Sequence, residues 1–168
     1  EAGAAPLASA SVDLVAVAQA LHWFAGAPFY LQVRRVAAPG AVLAAWSYAL
    51  PGLGGDDAES AVLRFYDDVV GPYWPPERRL VMEGYRSLEL PFDEIAAPSF
   101  EMSARWPLAR FLGLLRSWSA TARFERARGF DPVADLAREL EPLWGGPDAT
   151  RTVSWPLTVR AARIASSG

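Results

Sequence analysis

Ser11-Val12-Asp13-Leu14-Val15-Ala16-Val17-Ala18-Gln19-Ala20-Leu21-His22-Trp23-Phe24 is the stretch on which the reading of this chain turns. The apolar, β-branched-rich run over 12–18 predicts a strand buried on both faces of a parallel sheet. It ends in a polar and aromatic cluster, Gln19, His22 and Trp23. Open α/β sheets bind their ligands at the carboxyl ends of parallel strands. His22 is also the only histidine in the chain. A candidate site is located before any chemistry is named.

Outward from this stretch, Pro28 suits the first position of a helix, where its missing N–H is not needed. Phe29, Val33, Val36 and Ala37 then share one face at helical spacing. A second apolar run follows over 42–48. Two parallel strands joined through a helix make a right-handed crossover, with both carboxyl ends on one edge of the sheet. Trp46 and Tyr48 are therefore expected close to Gln19 and His22. Pro51-Gly52-Leu53-Gly54-Gly55 reads as a turn, because a lone glycine cluster without a following strand and acidic residue is weak evidence for a cofactor loop. Asp56-Asp57-Ala58-Glu59 has the pattern of a capping box for a helix through Val70, with Val62, Phe65, Tyr66 and Val69 on its apolar face.

Residues 71–98 are broken by Pro72, Pro75, Pro76, Pro91 and Pro98, yet carry Tyr73, Trp74, Tyr85 and Phe92. Their aromatic weight suits either a cap over the sheet edge or a connection with its rings tucked into the core. Alternation from Phe100 through Met102, Ala104 and Trp106 predicts a half-exposed strand. Pro107 opens a long helix whose Phe111, Leu112, Leu115, Trp118 and Ala122 face the core, and Gly129 ends it. Asp131-Pro132 starts another, with Val133, Leu136 and Leu140 on one face, stopped by Gly145-Gly146. Trp118 and Trp144 read as core. A last alternating strand spans about 151–163, and Pro156 within it argues for an edge or a bulge. The fold class is α/β, with main strands near 12–18, 42–48, 99–106 and 151–163 and helices on both faces.

A chain of 168 residues, 52% hydrophobic and 21% charged, suits one packed body rather than disorder. Its net charge of −3 gives no general attraction to nucleic acid. All basic residues are arginine, the signature of a GC-rich, bacterial-type genome. Cysteine is absent, which excludes disulfides and cysteine-metal sites. No apolar run is long enough for a transmembrane helix, and with no signal peptide visible the expected location is cytoplasmic.

The opening stretch resembles class I S-adenosylmethionine (SAM)-dependent methyltransferases of the type 11 domain, in the branch related to trans-aconitate-type enzymes. The likeness continues through Phe29-Tyr30-Leu31-Gln32-Val33-Arg34-Arg35-Val36-Ala37-Ala38-Pro39-Gly40-Ala41 and Val42-Leu43-Ala44-Ala45-Trp46-Ser47-Tyr48. It extends to Gly71-Pro72-Tyr73-Trp74-Pro75-Pro76-Glu77-Arg78-Arg79, Glu83-Gly84-Tyr85, Arg116-Ser117-Trp118-Ser119-Ala120 and Trp155-Pro156-Leu157. Here the family's Leu-Arg-Pro-Gly-Gly turn is Ala37-Ala38-Pro39-Gly40-Ala41, and its helix glutamate is Gln32. The resemblance implies a partial Rossmann-like sheet whose last strand inserts, antiparallel, between the second and third. It enters the family fold at what corresponds to the fourth strand. The family's amino-terminal half, with its glycine-rich turn and ribose-binding acid, has no counterpart in these residues, so the resemblance implies the carboxyl-terminal part of a larger methyltransferase or a truncated relative of one, and SAM binding by this chain alone is not expected. On this reading 1–48 belong to the cofactor-binding core, 49–98 to a lid or cap, and 99–168 to the strand-helix-helix-strand that completes the sheet.

The resemblance also implies SAM as cofactor and a small molecule as methyl acceptor. Gln19, Ala20 and Leu21 follow the strand and resemble the segment that lines the SAM pocket. His22 suits either a general base or a hydrogen-bond donor to an acceptor that needs no deprotonation. Trp23, Tyr48, Tyr73 and Trp74 are substrate or lid candidates, and Arg78 could meet an acidic substrate. Other enzyme classes fit less well. There is no G-x-S-x-G elbow, and His22 stands near the start of the chain, not last as in α/β-hydrolases. One histidine without cysteine excludes most zinc and iron arrangements. Asp67 and Asp68 are adjacent on a helix and point in two directions. The second function class is a non-catalytic module that binds a partner along the edge of the first strand.

Overall fold

The computed structural model describes residues 5–146 and 148–165. Five strands form one sheet: β1 (Val12–Ala18), β2 (Ala37–Tyr48), β3 (Asp93–Ile95), β4 (Phe100–Pro107) and β5 (Thr150–Arg163). Six α-helices accompany them among the described residues: α1 (Ala27–Val36), α2 (Asp57–Arg64), α3 (Arg78–Met82), α4 (Leu108–Arg116), α5 (Ser119–Arg128) and α6 (Val133–Trp144). The strand order is β1-β2-β5-β3, with β4 also pairing β5. β1 and β2 are parallel, with Leu14 opposite Val42 and Ala18 opposite Trp46. β2 and β5 are antiparallel from Val42–Arg163 to Tyr48–Leu157. The last strand thus lies inside the sheet, as the resemblance implies. The ladder between β1 and β2 shifts register between Val12 and Leu14, and the Pro39–Gly40 turn occupies the shift, Gly40 at φ +82°. Pro156 falls between the ladder that ends at Leu157 and a bridge from Ser154 to Gly52, where no donor is required of it.

The chain divides into two compact units. The first comprises the described parts of Glu1–Leu50, Glu77–Glu101 and Pro156–Gly168. Its core gathers Val17, Leu21, Phe29, Tyr30, Val33, Leu43, Val81 and Tyr85. The expectation that β1 is buried on both faces is wrong. Within the strand only Val17 is buried, and Leu14 is 57% exposed. β1 pairs with β2 alone among the described strands, so it is an edge. Its apolar composition marks a strand type and does not reveal how many neighbours the strand has.

The second unit comprises Pro51–Pro76 and Met102–Trp155. Asp56 caps α2 by accepting from the N–H groups of Ala58 and Glu59. The Glu59 carboxylate does not return to the cap, as a capping box would require. It accepts from the N–H groups of Leu53 (2.7 Å) and Gly55 (2.8 Å), closing the glycine turn. α2 gives way to a π-type turn over Phe65–Val69, which leaves Val69 exposed rather than on the apolar face. The long helix expected from Pro107 to Arg128 is two. Ser117 Oγ donates to the Leu114 carbonyl (2.6 Å) and Thr121 Oγ1 to that of Leu115 (2.8 Å). These hydroxyls satisfy the last carbonyls of α4, and Trp118 turns extended before α5 begins. Phe100 and Met102, expected on the sheltered side of β4, are exposed. Phe111, Leu115, Val133, Leu140 and Val153 are buried in this unit. Among the described residues no helix is long and apolar enough to cross a membrane.

Candidate functional site

The site of the first unit lies where β1 ends. Gln19 leaves the strand at φ +50°, in the left-handed region that few non-glycine residues adopt. Its N–H still donates to the Trp46 carbonyl (2.9 Å). Its side chain then extends the ladder: Nε2 donates to the Tyr48 carbonyl and Oε1 accepts from the Tyr48 N–H, both at 2.9 Å. One amide thus holds together the carboxyl ends of β1 and β2, as their parallel register predicts. Leu21–Trp23 form a single 3-10 turn. Leu21 is wholly buried and drops into the core, so its side chain anchors the turn. Ala20 and His22 stay half-buried, and the Trp23 indole is 57% exposed.

His22 is held on two sides. Its ring lies 4.6 Å from that of Trp23, and its Nδ1 is 3.0 Å from the hydroxyl of Tyr85. Tyr85 is fully buried. Burial, and after it the Arg78 guanidinium, hold the imidazolium below the usual histidine range, against a smaller upward pull from Glu77. His22 is therefore neutral at neutral pH. Burial pushes the Tyr85 phenol up, while the backbone N–H groups of Leu21 and His22, and Arg78, pull it down. Arg78 opens α3 in the same unit, half-buried.

Of the residues singled out in the sequence, Gln19, Ala20, Leu21, His22, Trp23, Tyr48 and Arg78 all belong to the first unit. Tyr73 and Trp74 fall in the second. There the Tyr73 ring packs on Phe124 (5.1 Å), and the Trp74 ring lies among Tyr66 (5.3 Å) and Trp118 (5.6 Å). The residue that sequence reasoning missed is Tyr85. Its signal was Gly84, two positions past the end of the short helix α3, which is where a left-handed helix terminator stands. Among the described residues no group of three or more histidine or acidic side chains could hold a metal ion.

An open mixed sheet, with a polar and aromatic turn at the end of its first parallel strand and its final strand inserted antiparallel, defines an α/β domain of Rossmann-like type. No protein-family profile matches the chain. A solved structure from Anaeromyxobacter dehalogenans, described as a type II methyltransferase, is 43% identical with a TM-score of 0.88, over 98% of this chain and 70% of that one. A Dictyostelium discoideum protein named as a methyltransferase is 30% identical over 136 residues, 80% of this chain. The present chain spans about half the length (52%) of that curated relative. The chain belongs to the class I SAM-dependent methyltransferases.

The residues at the end of β1 could hold one side of SAM. The exposed Trp23 indole and the half-buried Ala20 offer an apolar wall with a π face, which suits a sulfonium cation and an adenine ring. Gln19–Trp23 contain no carboxylate that could bind ribose hydroxyls.

Proposed function

We propose that the protein transfers a methyl group from SAM to a small-molecule acceptor, and that the turn Gln19–Trp23 forms one wall of its site. The observation that carries this reading is the His22 ring, half-buried at the carboxyl end of β1, neutral, and anchored through Nδ1 to Tyr85. Bound SAM supplies an electrophilic methyl on a sulfonium. The contributions of this chain are positional, and fixed orientation alone is worth about 7–11 kcal/mol in well-aligned reactions. Gln19, with Tyr48, keeps the two strand ends in register. The backbone of Gln19, Ala20 and Leu21, with the Ala20 side chain, borders the cofactor, and Trp23 covers it. His22 orients the acceptor; burial and, after it, Arg78 keep His22 unprotonated, and Arg78 supplies positive potential toward an acidic group. β1 borders only β2 and exposes Leu14, leaving an edge onto which the greater length of the relatives can add strands. That extension, with its glycine-rich turn and acidic residue, and a cytoplasmic location belong to the same proposal.

The test uses the protein at the length of its relatives, with labelled SAM and a panel of small-molecule acceptors. His22→Ala should lower kcat about ten- to a hundredfold, as expected for one lost positioned polar contact, with the SAM dissociation constant little changed. Unchanged turnover accompanied by reduced thermal stability would assign His22 to the core and remove it from the site.

A further inference from the structure

We infer that Tyr85, held by Arg160 and Gly84, is a positioning residue that fixes His22 as the tautomer protonated on Nε2, so that His22 acts as a hydrogen-bond donor and not as a base. The inference deepens the proposed function and rests on it only for the acceptor, since the tautomer is a property of this chain alone.

Tyr85 stands on a strained corner. Gly84 and Tyr85 are both left-handed, at φ +60°. The Gly84 N–H donates to the Val81 carbonyl (2.9 Å) and the Tyr85 N–H to that of Leu80 (2.8 Å), which is the double closure of a Schellman terminus on α3. An aromatic residue with positive φ is an outlier that persists only where its surroundings over-determine it. The surroundings here are explicit. Thr158 on β5 packs so close to Gly84 that an added Cβ would meet its Oγ1 at 2.7 Å. Arg160, also on β5 and 13% exposed at its side chain, donates through Nη1 to the carbonyls of Tyr85 and Leu88. Its Nε reaches Glu94 Oε2 (3.1 Å), and Nη2 pairs with Glu94 Oε1. Two alternate positions of β5, Thr158 and Arg160, therefore hold both residues of the corner.

What the corner presents is one hydroxyl. Tyr85 is wholly buried, and the partner that the structure gives its hydroxyl is His22 Nδ1 at 3.0 Å. A buried hydroxyl proton needs an acceptor, so the phenol donates to Nδ1. An Nδ1 that accepts leaves the proton of a neutral imidazole on Nε2. Protonation of Nδ1 would set two donors against one another and leave the buried phenol proton without this acceptor.

Because His22 is the only histidine, long-range proton–nitrogen correlation on the labelled chain reads it without ambiguity. Wild type should show an acceptor-type Nδ1 and a protonated Nε2. Tyr85→Phe keeps the ring and should shift His22 to mixed tautomers, with its titration midpoint moved upward. Arg160→Met should reproduce part of that signature and Arg160→Lys less. Circular dichroism confirms the fold, and should Arg160→Met not fold, Tyr85→Phe carries the test. A protonated Nδ1 in wild type, or an unchanged His22 pattern in Tyr85→Phe, overturns the inference. At the length of the relatives, Tyr85→Phe should lower kcat about tenfold without changing the SAM dissociation constant. Absence of any turnover in wild type would sink the methyltransferase reading and leave the tautomer result standing. A Tyr85→Phe kcat equal to wild type would remove Tyr85 from the reaction.

Discussion

Gln19 and Tyr48 are joined as two strand residues would be, although one partner is a side chain: the Gln19 amide donates to the Tyr48 carbonyl and accepts from its N–H, both at 2.9 Å. Gln19→Ala removes both bonds and leaves the part-buried Tyr48 backbone without those partners. Each such bond contributes about 0.5–1.5 kcal/mol, so the loss should be about 1–3 kcal/mol in urea unfolding. Gln19→Glu discriminates further. An ionised carboxylate cannot donate to the Tyr48 carbonyl, whereas its protonated form can. Gln19→Glu should therefore be more destabilising at pH 8 than at pH 4, relative to wild type at each pH. Equal losses at both pH values would contradict this geometry.

Asp56 separates capping from ion pairing. Its Oδ1 accepts from Ala58 N–H and Glu59 N–H, and its Oδ2 pairs with Arg151. The Arg151 pair and the cap bonds both hold its carboxyl below the usual range, with Arg151 foremost. The pair is partly exposed, and such pairs contribute little to stability. Asparagine caps as well as aspartate. Asp56→Asn should therefore cost less than about 0.5 kcal/mol, and Asp56→Ala about 1 kcal/mol. Similar losses for both variants would make the ion pair the larger contribution.

Much of this architecture was legible because it is local. The runs 12–18 and 42–48 specify their own strands, and Asp56 specifies its cap from the residues beside it. The insertion of 151–163 beside β2 came from the resemblance, since Pro156 taken alone pointed to an edge or a bulge. What escaped the sequence depends on partners distant along the chain or on competition between nearly equal local choices. Leu14 carries no mark of how many strands flank it. Ser117 and Trp118 continue a helical apolar pattern, and only the hydroxyl bonds of Ser117 and Thr121 divide it. Tyr85 looked like aromatic filling because its hydroxyl gains meaning only from His22, far back in the sequence.

The 168-residue chain should bind SAM no more tightly than millimolar. The described site offers an indole face and a backbone turn, but Gln19–Trp23 provide no carboxylate for the ribose. A dissociation constant of 1 mM corresponds to about −4.1 kcal/mol, already generous for one wall of a site. Calorimetry should show no saturation at sub-millimolar SAM. Micromolar binding would place the cofactor elsewhere on this chain.

The proton linkage of His22 has a definite sign. Its folded pKa lies below the unfolded value, so the folded protein holds this proton less tightly than the unfolded chain does. Stability from this group is complete above the unfolded pKa of about 6.5 and falls as the pH drops through that value. His22→Gln removes the linkage. Between pH 8 and pH 5, wild type should lose more stability than His22→Gln, as followed by denaturant midpoints. Parallel losses would show that the imidazole is not held neutral by its setting.

Gly84→Ala is the sharpest probe of the corner beneath Tyr85. A Cβ at Gly84 would lie 2.7 Å from Thr158 Oγ1 and 2.8 Å from Thr158 Cγ2, and φ is +60°. The left-handed backbone alone costs an alanine about 1–2 kcal/mol, and overpacking adds about 1–3 kcal/mol. The variant should thus lose about 2–5 kcal/mol. Thr158→Ala removes the two closest of these atoms, leaving its Cβ at 3.0 Å, without altering φ. The double variant Gly84→Ala/Thr158→Ala should regain the steric part, so the two substitutions should be non-additive by about 1–3 kcal/mol in a double-mutant cycle. Strict additivity would mean that Thr158 does not press on Gly84, and that strand β5 holds the corner through Arg160 alone.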